Sequence, residues 1–278
     1  MTTQPRKLRW LGALAVAALA LALWAFWIEP AGLSVVEEQI SVGWRGPRPL
    51  RVAVLTDLHV GSPFNGMSKL RRTVDRTNAA RPDVVCILGD LVIRGVIGGR
   101  FVAPEPIATE LGRLSAPGGV IAVLGNHDSW FDHDRVMRAL ESNGIRMVED
   151  TAVEIRTEAG PVWIAGISDL WTEKHDLRGA LAAVSDDTVP VVLLSHNPDV
   201  FPDVPARVML TLAGHTHGGQ VRLPLLGRPV VPSRFGQRFA DGHVVENGRH
   251  MYVATGVGTS IFPVRFRVPP AVTVLTLR

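Results

Sequence analysis

Five short apolar runs recur along the chain, and each ends on a polar or charged residue. "LRVAVLT" leads into Asp57, "DVVCIL" into Gly89-Asp90, "GVIAVL" into Gly125-Asn126-His127-Asp128, "VPVVLLS" into His196 and "ARVMLTLA" into Gly214-His215. A continuous apolar run of this length predicts a strand covered on both faces. Residues 68–80, 105–114 and 132–142, which separate several of these runs, carry helical patterns with Pro or Gly near their ends. Strands alternating with helices predict an α/β layered domain, with functional groups at the strand ends. Later segments, "GPVWIAGI", "QVRLPLLG", "HMYVATGVG" and "AVTVLTL", predict further strands with fewer helices between them, hence a mixed sheet.

One segment departs from this rhythm. Residues 10–28, "WLGALAVAALALALWAFWI", carry no charge and as a helix would extend roughly 28 Å, enough for a bilayer core. Trp10 at one end and Trp24 and Trp27 at the other suit the two membrane interfaces. Arg6, Lys7 and Arg9 precede the segment and Glu29 follows it, which places the N-terminus in the cytoplasm and the remainder outside. Arg45, Arg48 and Arg51 weigh against that orientation. A cleaved signal peptide is the competing expectation, because Ala18-Leu19-Ala20 and Ala20-Leu21-Ala22 resemble cleavage sites. The long apolar tail beyond them favours an uncleaved anchor. The expected organisation is a basic segment (1–9), a single-pass anchor (10–28), a linker with a first strand in "LSVVEEQISV" (29–49), and a catalytic domain (50–278).

At 278 residues and 46% hydrophobic, the chain can bury a core near the upper size of one domain. Its net charge of +3 comes from scattered Lys and Arg, so nucleic acid is not an expected partner. The lone Cys86 sits inside an apolar run, where it predicts a small buried hydrophobe and no intrachain disulfide.

Histidine carries more information. His59, His127, His196, His215 and His217 all follow apolar runs, beside Asp57, Asp90 and Asn126, whereas His133, His175, His243 and His250 lack such context. Any one of these motifs alone is as consistent with a turn or a helix cap. Together they offer carboxylate, imidazole and amide oxygen, a donor set for Mn²⁺, Zn²⁺ or Fe, without the thiolates of a structural zinc site. Asp57, His59, Asp90, Asn126, His196, His215 and His217 are too many ligands for one tetrahedral ion but suit two ions sharing a carboxylate, whose two oxygens can reach both. Two metals about 3.5–4 Å apart clamp a phosphoryl group and activate water, the chemistry of phosphoester hydrolysis. Asp57 and His59, two residues apart beyond a strand, can face one ion, while His127 directly follows Asn126 and points elsewhere.

At these residues the sequence resembles the calcineurin-like metallophosphoesterases. "TDLHVG", "LGDL", "LGNHD", "LSHNPD" and "AGHTHGGQ" match that family's signature blocks in order, and the resemblance spans 51–278. It implies a four-layer α-β-β-α sandwich of two mixed sheets and two divalent ions, Mn²⁺ before Zn²⁺ or Fe. It also implies that Asp57, His59 and His217 hold one ion, that Asn126, His196 and His215 hold the other, and that Asp90 bridges. His127 would contact the phosphate and protonate the leaving group. Asp128 is expected either to orient His127 or to cap a helix, and Gly218 and Gly219 to permit the tight turn after His215.

"LSHNPDVFP", "AGHTHGGQVRLP" and "VATGVGTSIFPVRFRVPPAVTVLTL" further resemble the subgroup of membrane-associated, YkuE- and YaeI-like phosphoesterases. A chlamydial enzyme that cleaves UDP-2,3-diacylglucosamine to lipid X and UMP belongs near that subgroup. The resemblance implies a bacterial inner-membrane hydrolase of a lipid-linked or nucleotide-lipid phosphoester, with a broad-specificity envelope phosphodiesterase as the alternative. A noncatalytic metal-binding scaffold is the remote alternative, disfavoured by the complete ligand set. Asn65 is a candidate substrate contact or turn residue. Arg94, Arg100 and Arg265 lie in two segments that mix arginine with apolar side chains, and are candidate phosphate partners beside an amphiphilic substrate.

Overall fold

The central strands of both sheets are buried on both faces, which is why β3 (Val84–Ile87) and β8 (Val191–Leu194) are apolar throughout, while the edge strands alternate between covered and exposed positions. The computed structural model describes residues 4–278, with side chains from residue 9 onward, so Arg6 and Lys7 lie outside the described side chains. The first sheet runs in the order β1 (Ser34–Ile40), β12 (Ala271–Leu277), β2 (Leu50–Leu55), β3 (Val84–Ile87), β4 (Val120–Ala122), β5 (Arg146–Met147). The second runs β10 (Gly242–Glu246), β11 (Arg249–Val253), β9 (Val208–Ala213), β8 (Val191–Leu194), β7 (Gly160–Gly166), β6 (Thr151–Thr157). Both are mixed: β12 is antiparallel to β2 but parallel to β1, and β6 and β10 are antiparallel edges on an otherwise parallel sheet.

Alternation along the strands builds the layers. On β2, Ala53 and Leu55 pack with α3 (Met67–Ala79), α4 (Pro104–Leu111) and α5 (Asn126–Glu141), whereas Val52 and Val54 face the other sheet. On β8, Val192 and Leu194 complete the core between the sheets, while Val191 and Leu193 face outward against α6 (Leu177–Ala182) and Phe201. The result is helices, sheet, sheet and helix. Cys86 lies in the central core, fully buried, and burial pushes its thiol up to about 12.

Two segments differ from expectation. "QVRLPLLG" forms no strand, because its Pro interrupts pairing; only the bridges Val221 to Phe266 and Leu223 to Gly227 remain. The helix expected over 132–142 begins earlier, at Asn126, and is kinked at Asp132. The extra turn carries Asn126 and His127.

The N-terminal helix α1 (Gln4–Leu23) continues through a π-helical turn (Trp24–Ile28) into α2 (Glu29–Ala31). Its stretch Arg9–Ala31 is long and apolar enough to cross a membrane, and it is exposed along most of its length, with burial confined to its end at Glu29 and Pro30. Only its last turns are fastened to the domain. Glu29 accepts from the Trp24 indole (2.6 Å) and from Val268 N (2.6 Å), the Ala25 carbonyl accepts from Arg265 N (2.9 Å), and Lys69 Nζ donates to Pro30 O (2.7 Å).

Candidate dimetal centre

The ligand-type residues sit where strands of both sheets end. Asp57 and His59 follow β2, Asp90 follows β3, Asn126 opens α5 after β4, His196 follows β8, and His215 and His217 follow β9. Asp57, His59, Asp90, His215 and His217 all adopt left-handed backbone, with φ between 39° and 68°. For residues other than glycine this costs on the order of 1 kcal/mol each, so the surrounding turns must hold it. Gly218 and Gly219 continue the left-handed path (φ 59° and 71°), which glycine adopts without strain. Gly214 serves close approach instead, since a Cβ there would meet Asp57 Oδ2 at 2.8 Å.

Each carboxylate has one oxygen occupied and one turned inward. Asp57 Oδ2 accepts from Thr56 Oγ1 (2.9 Å) and His215 N (3.0 Å), leaving Oδ1 without a hydrogen-bond partner 3.3 Å from His217 Nε2. Asp90 Oδ1 accepts from His127 N (2.8 Å), while its Oδ2 lies 3.3 Å from His59 Nε2 and 3.4 Å from His196 Nε2. Asp90 Oδ2 thus faces the imidazoles of both clusters, while Oδ1 holds the backbone at the start of α5.

The imidazoles complete two groups. Asp57, His59, Asp90 and His217 form one, and Asp90, His196 and His215 the other, with ligand atoms of each group within 4.8 Å of one another. His59 and His217 approach at 3.1 Å through Nε2, and His196 Nε2 lies 3.2 Å from both His215 Nδ1 and Asn126 Oδ1. An ion with nitrogen and oxygen ligands at about 2.1 Å sets neighbouring ligand atoms roughly 3.0–3.4 Å apart. The observed spacings fit. His196 Nδ1 pairs with Leu88 O (2.7 Å), which fixes the tautomer with Nε2 free to ligate. Burial pushes His196 down, but Asp90 and Asp57 outweigh it and raise its imidazole to about 10. Asp90 is held well below the usual carboxylate range by His196 and His59 despite its burial.

His127 stands apart from both groups. Its ring meets His59 edge to face at 4.8 Å and Trp130 at 4.9 Å, and it is only partly buried, at the mouth of the centre. Burial lowers its imidazole to about 4, with His59 and His196 adding to the effect and Asp90 opposing it.

The family model for calcineurin-like phosphoesterases matches residues 50–219, more than half of the chain. The chain belongs to that family. As a calcineurin-like phosphoesterase it is a metal-dependent phosphoester hydrolase with a candidate dimetal site of Asp and His residues. Among its relatives, the uncharacterized metallophosphoesterase YkuE of Bacillus subtilis is 29% identical over 277 residues, covering 96% of this chain and 94% of that protein. The phosphodiesterase YaeI of Escherichia coli is 30% identical over 255 residues, covering 90% of each. A Danio rerio transmembrane protein with a metallophosphoesterase domain is 32% identical over 243 residues, covering 82% of this chain and 53% of that one. These relatives place this phosphoesterase in the YkuE- and YaeI-like subgroup.

The remaining candidates fall elsewhere. Arg265 is fully buried, and its guanidinium is committed to the carbonyls of Thr255, Gly256, Gly258 and Val268, so it braces a loop and is not a phosphate partner. The Asn65 amide donates to the carbonyls of Leu58 and His59, supporting the ligand turn from behind. Arg94 stacks over Phe131 (4.4 Å) and Phe101 (5.0 Å), and Arg100 is exposed. Asp128 neither orients the His127 ring nor acts only as a cap. It accepts from the N–H groups of Gly125, Asp90, Leu91 and Val92 (2.7–3.1 Å), tying the start of α5 to the Asp90 turn. Burial, aided by the Asp90 charge, raises its carboxyl to about 7 against the Gly125, Val92 and Leu91 donors. Asp128→Ala leaves buried donors unsatisfied and is expected to destabilise the fold by about 3 kcal/mol or more. Denaturant unfolding measures this, and an unchanged midpoint would show those donors to be satisfied elsewhere.

Two side chains at the site have no sequence signal. Trp171 meets the His215 ring edge to face at 4.2 Å, and Trp130 lies 6.5 Å from Trp171, both half-exposed. Trp130 follows the "GNHD" block by two positions, but Trp171 is brought in from a loop forty residues on, which no local pattern announces.

Proposed function

We propose that this phosphoesterase is a single-pass protein of the bacterial inner membrane that hydrolyses a lipid-linked or nucleotide-lipid phosphodiester or pyrophosphate, such as UDP-2,3-diacylglucosamine. The observation that carries the reading is one ligand constellation built on a domain fastened to a helix of membrane-crossing length.

In this reading Asp57, His59 and His217 would hold one ion and Asn126, His196 and His215 the other, with Asp90 shared between them. Mn²⁺ is the first choice for this thiolate-free set, with Zn²⁺ or Fe next. Bound metals would supply Lewis acidity and an activated water nucleophile. The chain's own residues do the rest. His127, on the rim beside His59, contacts the phosphate and passes a proton to the departing oxygen; the phosphate's negative charge counters the effect of burial on its imidazole. Arg94 and Arg100 supply positive charge in the adjoining loop. Trp130 and Trp171 offer apolar faces to the group beyond the scissile bond.

Trp171→Ala is expected to raise KM for the physiological class of substrate roughly tenfold, with metal content unchanged, as lost apolar contact of this size predicts. An unchanged KM removes Trp171 from the substrate's path. The reading itself is tested with purified full-length protein and Mn²⁺ on UDP-2,3-diacylglucosamine and on simple aryl phosphodiesters. Preferential cleavage of the nucleotide-lipid supports it, and cleavage of the aryl esters alone favours a broad-specificity envelope phosphodiesterase. Topology bears on the same choice, because UDP-linked precursors are cytoplasmic while the flanking charges favour an external domain. A C-terminal reporter active outside the cell would count against the UDP-lipid.

A further inference from the structure

We infer that the loops rimming the metal centre form a second, non-spanning membrane contact, seated in the lipid interface of the bilayer that the N-terminal helix crosses; this rests on reading that helix as a span. The domain does not begin below the apolar helix but runs alongside its end. Arg265 N meets Ala25 O (2.9 Å) and the Phe64 ring packs on Trp27 at 5.4 Å, both within the apolar stretch Arg9–Ala31. At 1.5 Å per residue, Ala25 stands about 9 Å along the helix from Ala31. Glu29, held by Val268 N, and the Pro30 carbonyl, held by Lys69 Nζ, keep the helix from swinging away.

The loops expose a group of large apolar side chains, with the exposed Arg222 and Arg267 beside them. Ile261 and Phe262 are 66% and 56% exposed, although Ile261 has the left-handed backbone (φ 61°) that β-branched residues avoid. Ile97, also exposed, is tied to them by its N–H to Ile261 O (3.2 Å). Leu225 and Leu226 project from the neighbouring turn, which joins the same loop through Val221 and Phe266. Large apolar side chains exposed on loops that are bonded to one another mark an interaction site. The occupant is a bilayer because Trp24, Phe26 and Trp27 on the helix are exposed as well, and whatever covers Trp27 also reaches Phe64.

The surface is coupled to the metal centre. Gln220, three residues beyond His217, donates to Ser260 O and Phe262 O and accepts from Ser260 N. Ser62, three residues beyond His59, accepts from Thr259 N. A phosphoester in the headgroup layer would thus meet the ligand turns without its acyl chains leaving the membrane.

The test uses the full chain in phosphatidylcholine vesicles, with a polarity-sensitive fluorophore on single introduced cysteines and a nitroxide quencher on the lipid headgroup or chain. The native Cys86 is buried and stays unlabelled. Labels at Phe262→Cys and Ile97→Cys should show blue-shifted emission and lipid quenching approaching that of Leu14→Cys in the helix. A label at Glu158→Cys, beside Arg48 at the opposite end of the strands, should remain in water. If positions 97 and 262 behave like 158 while 14 is quenched, the inference is overturned and the span stands. If 14 is also unquenched, the span reading falls and the inference with it. Circular dichroism and aryl phosphodiester cleavage by each labelled variant establish that the fold is intact.

Discussion

Replacing Asp90 with alanine is expected to release both metal ions and to lower phosphodiester turnover by roughly a thousandfold or more, beyond the 10–100-fold typical of residues that only support a ligand. Asp90 Oδ2 is the one atom facing both ligand groups, 3.3 Å from His59 Nε2 and 3.4 Å from His196 Nε2. Its removal leaves each ion short of a ligand and takes away the negative charge that offsets two buried imidazoles. The other oxygen holds His127 N, so the α5 start loosens as well. Metal analysis of the purified variant decides the matter. Two ions retained would contradict the bridge whatever the activity, and Asp90→Asn, which keeps the shape, separates loss of charge from loss of packing.

His127→Ala is expected to behave in the opposite way, keeping both ions and losing on the order of a hundredfold or more in turnover. The ring belongs to neither ligand group, touches His59 only edge to face, and borders the exposed Trp130. Removing it should leave the ligand geometry in place. Because a general acid matters most when the leaving group is basic, the loss should shrink for an aryl ester that departs without a proton. An equal loss on both ester types, or no loss, would remove His127 from that role.

Much of this was legible in the sequence, for a physical reason. Strands buried on both faces must be apolar at every position, so β2, β3, β8 and β9 announce themselves, and polar residues at their ends stand out by contrast. What was hidden depends on contacts across the fold. Arg265 reads as a phosphate partner in sequence, yet four carbonyls from one loop enclose it. Asp128 reads as either a partner for His127 or a local cap, yet three of its four donors belong to the Asp90 turn, some forty residues away. Trp171 reaches His215 from a loop with no motif. The apolar helix was visible from composition, but its fastening through Glu29 to Val268 joins positions 239 residues apart.

The most direct measurement is a titration of metal-stripped full-length protein with Mn²⁺, following bound metal, hydrolysis of an aryl phosphodiester and the Mn²⁺ electron paramagnetic resonance signal together. Two ions a few ångströms apart should couple magnetically, so binding is expected to saturate at two per chain, with a coupled signal and activity both appearing as the second site fills. Saturation at a single uncoupled ion, or a fully loaded protein that hydrolyses no phosphoester, would contradict the dinuclear hydrolytic centre.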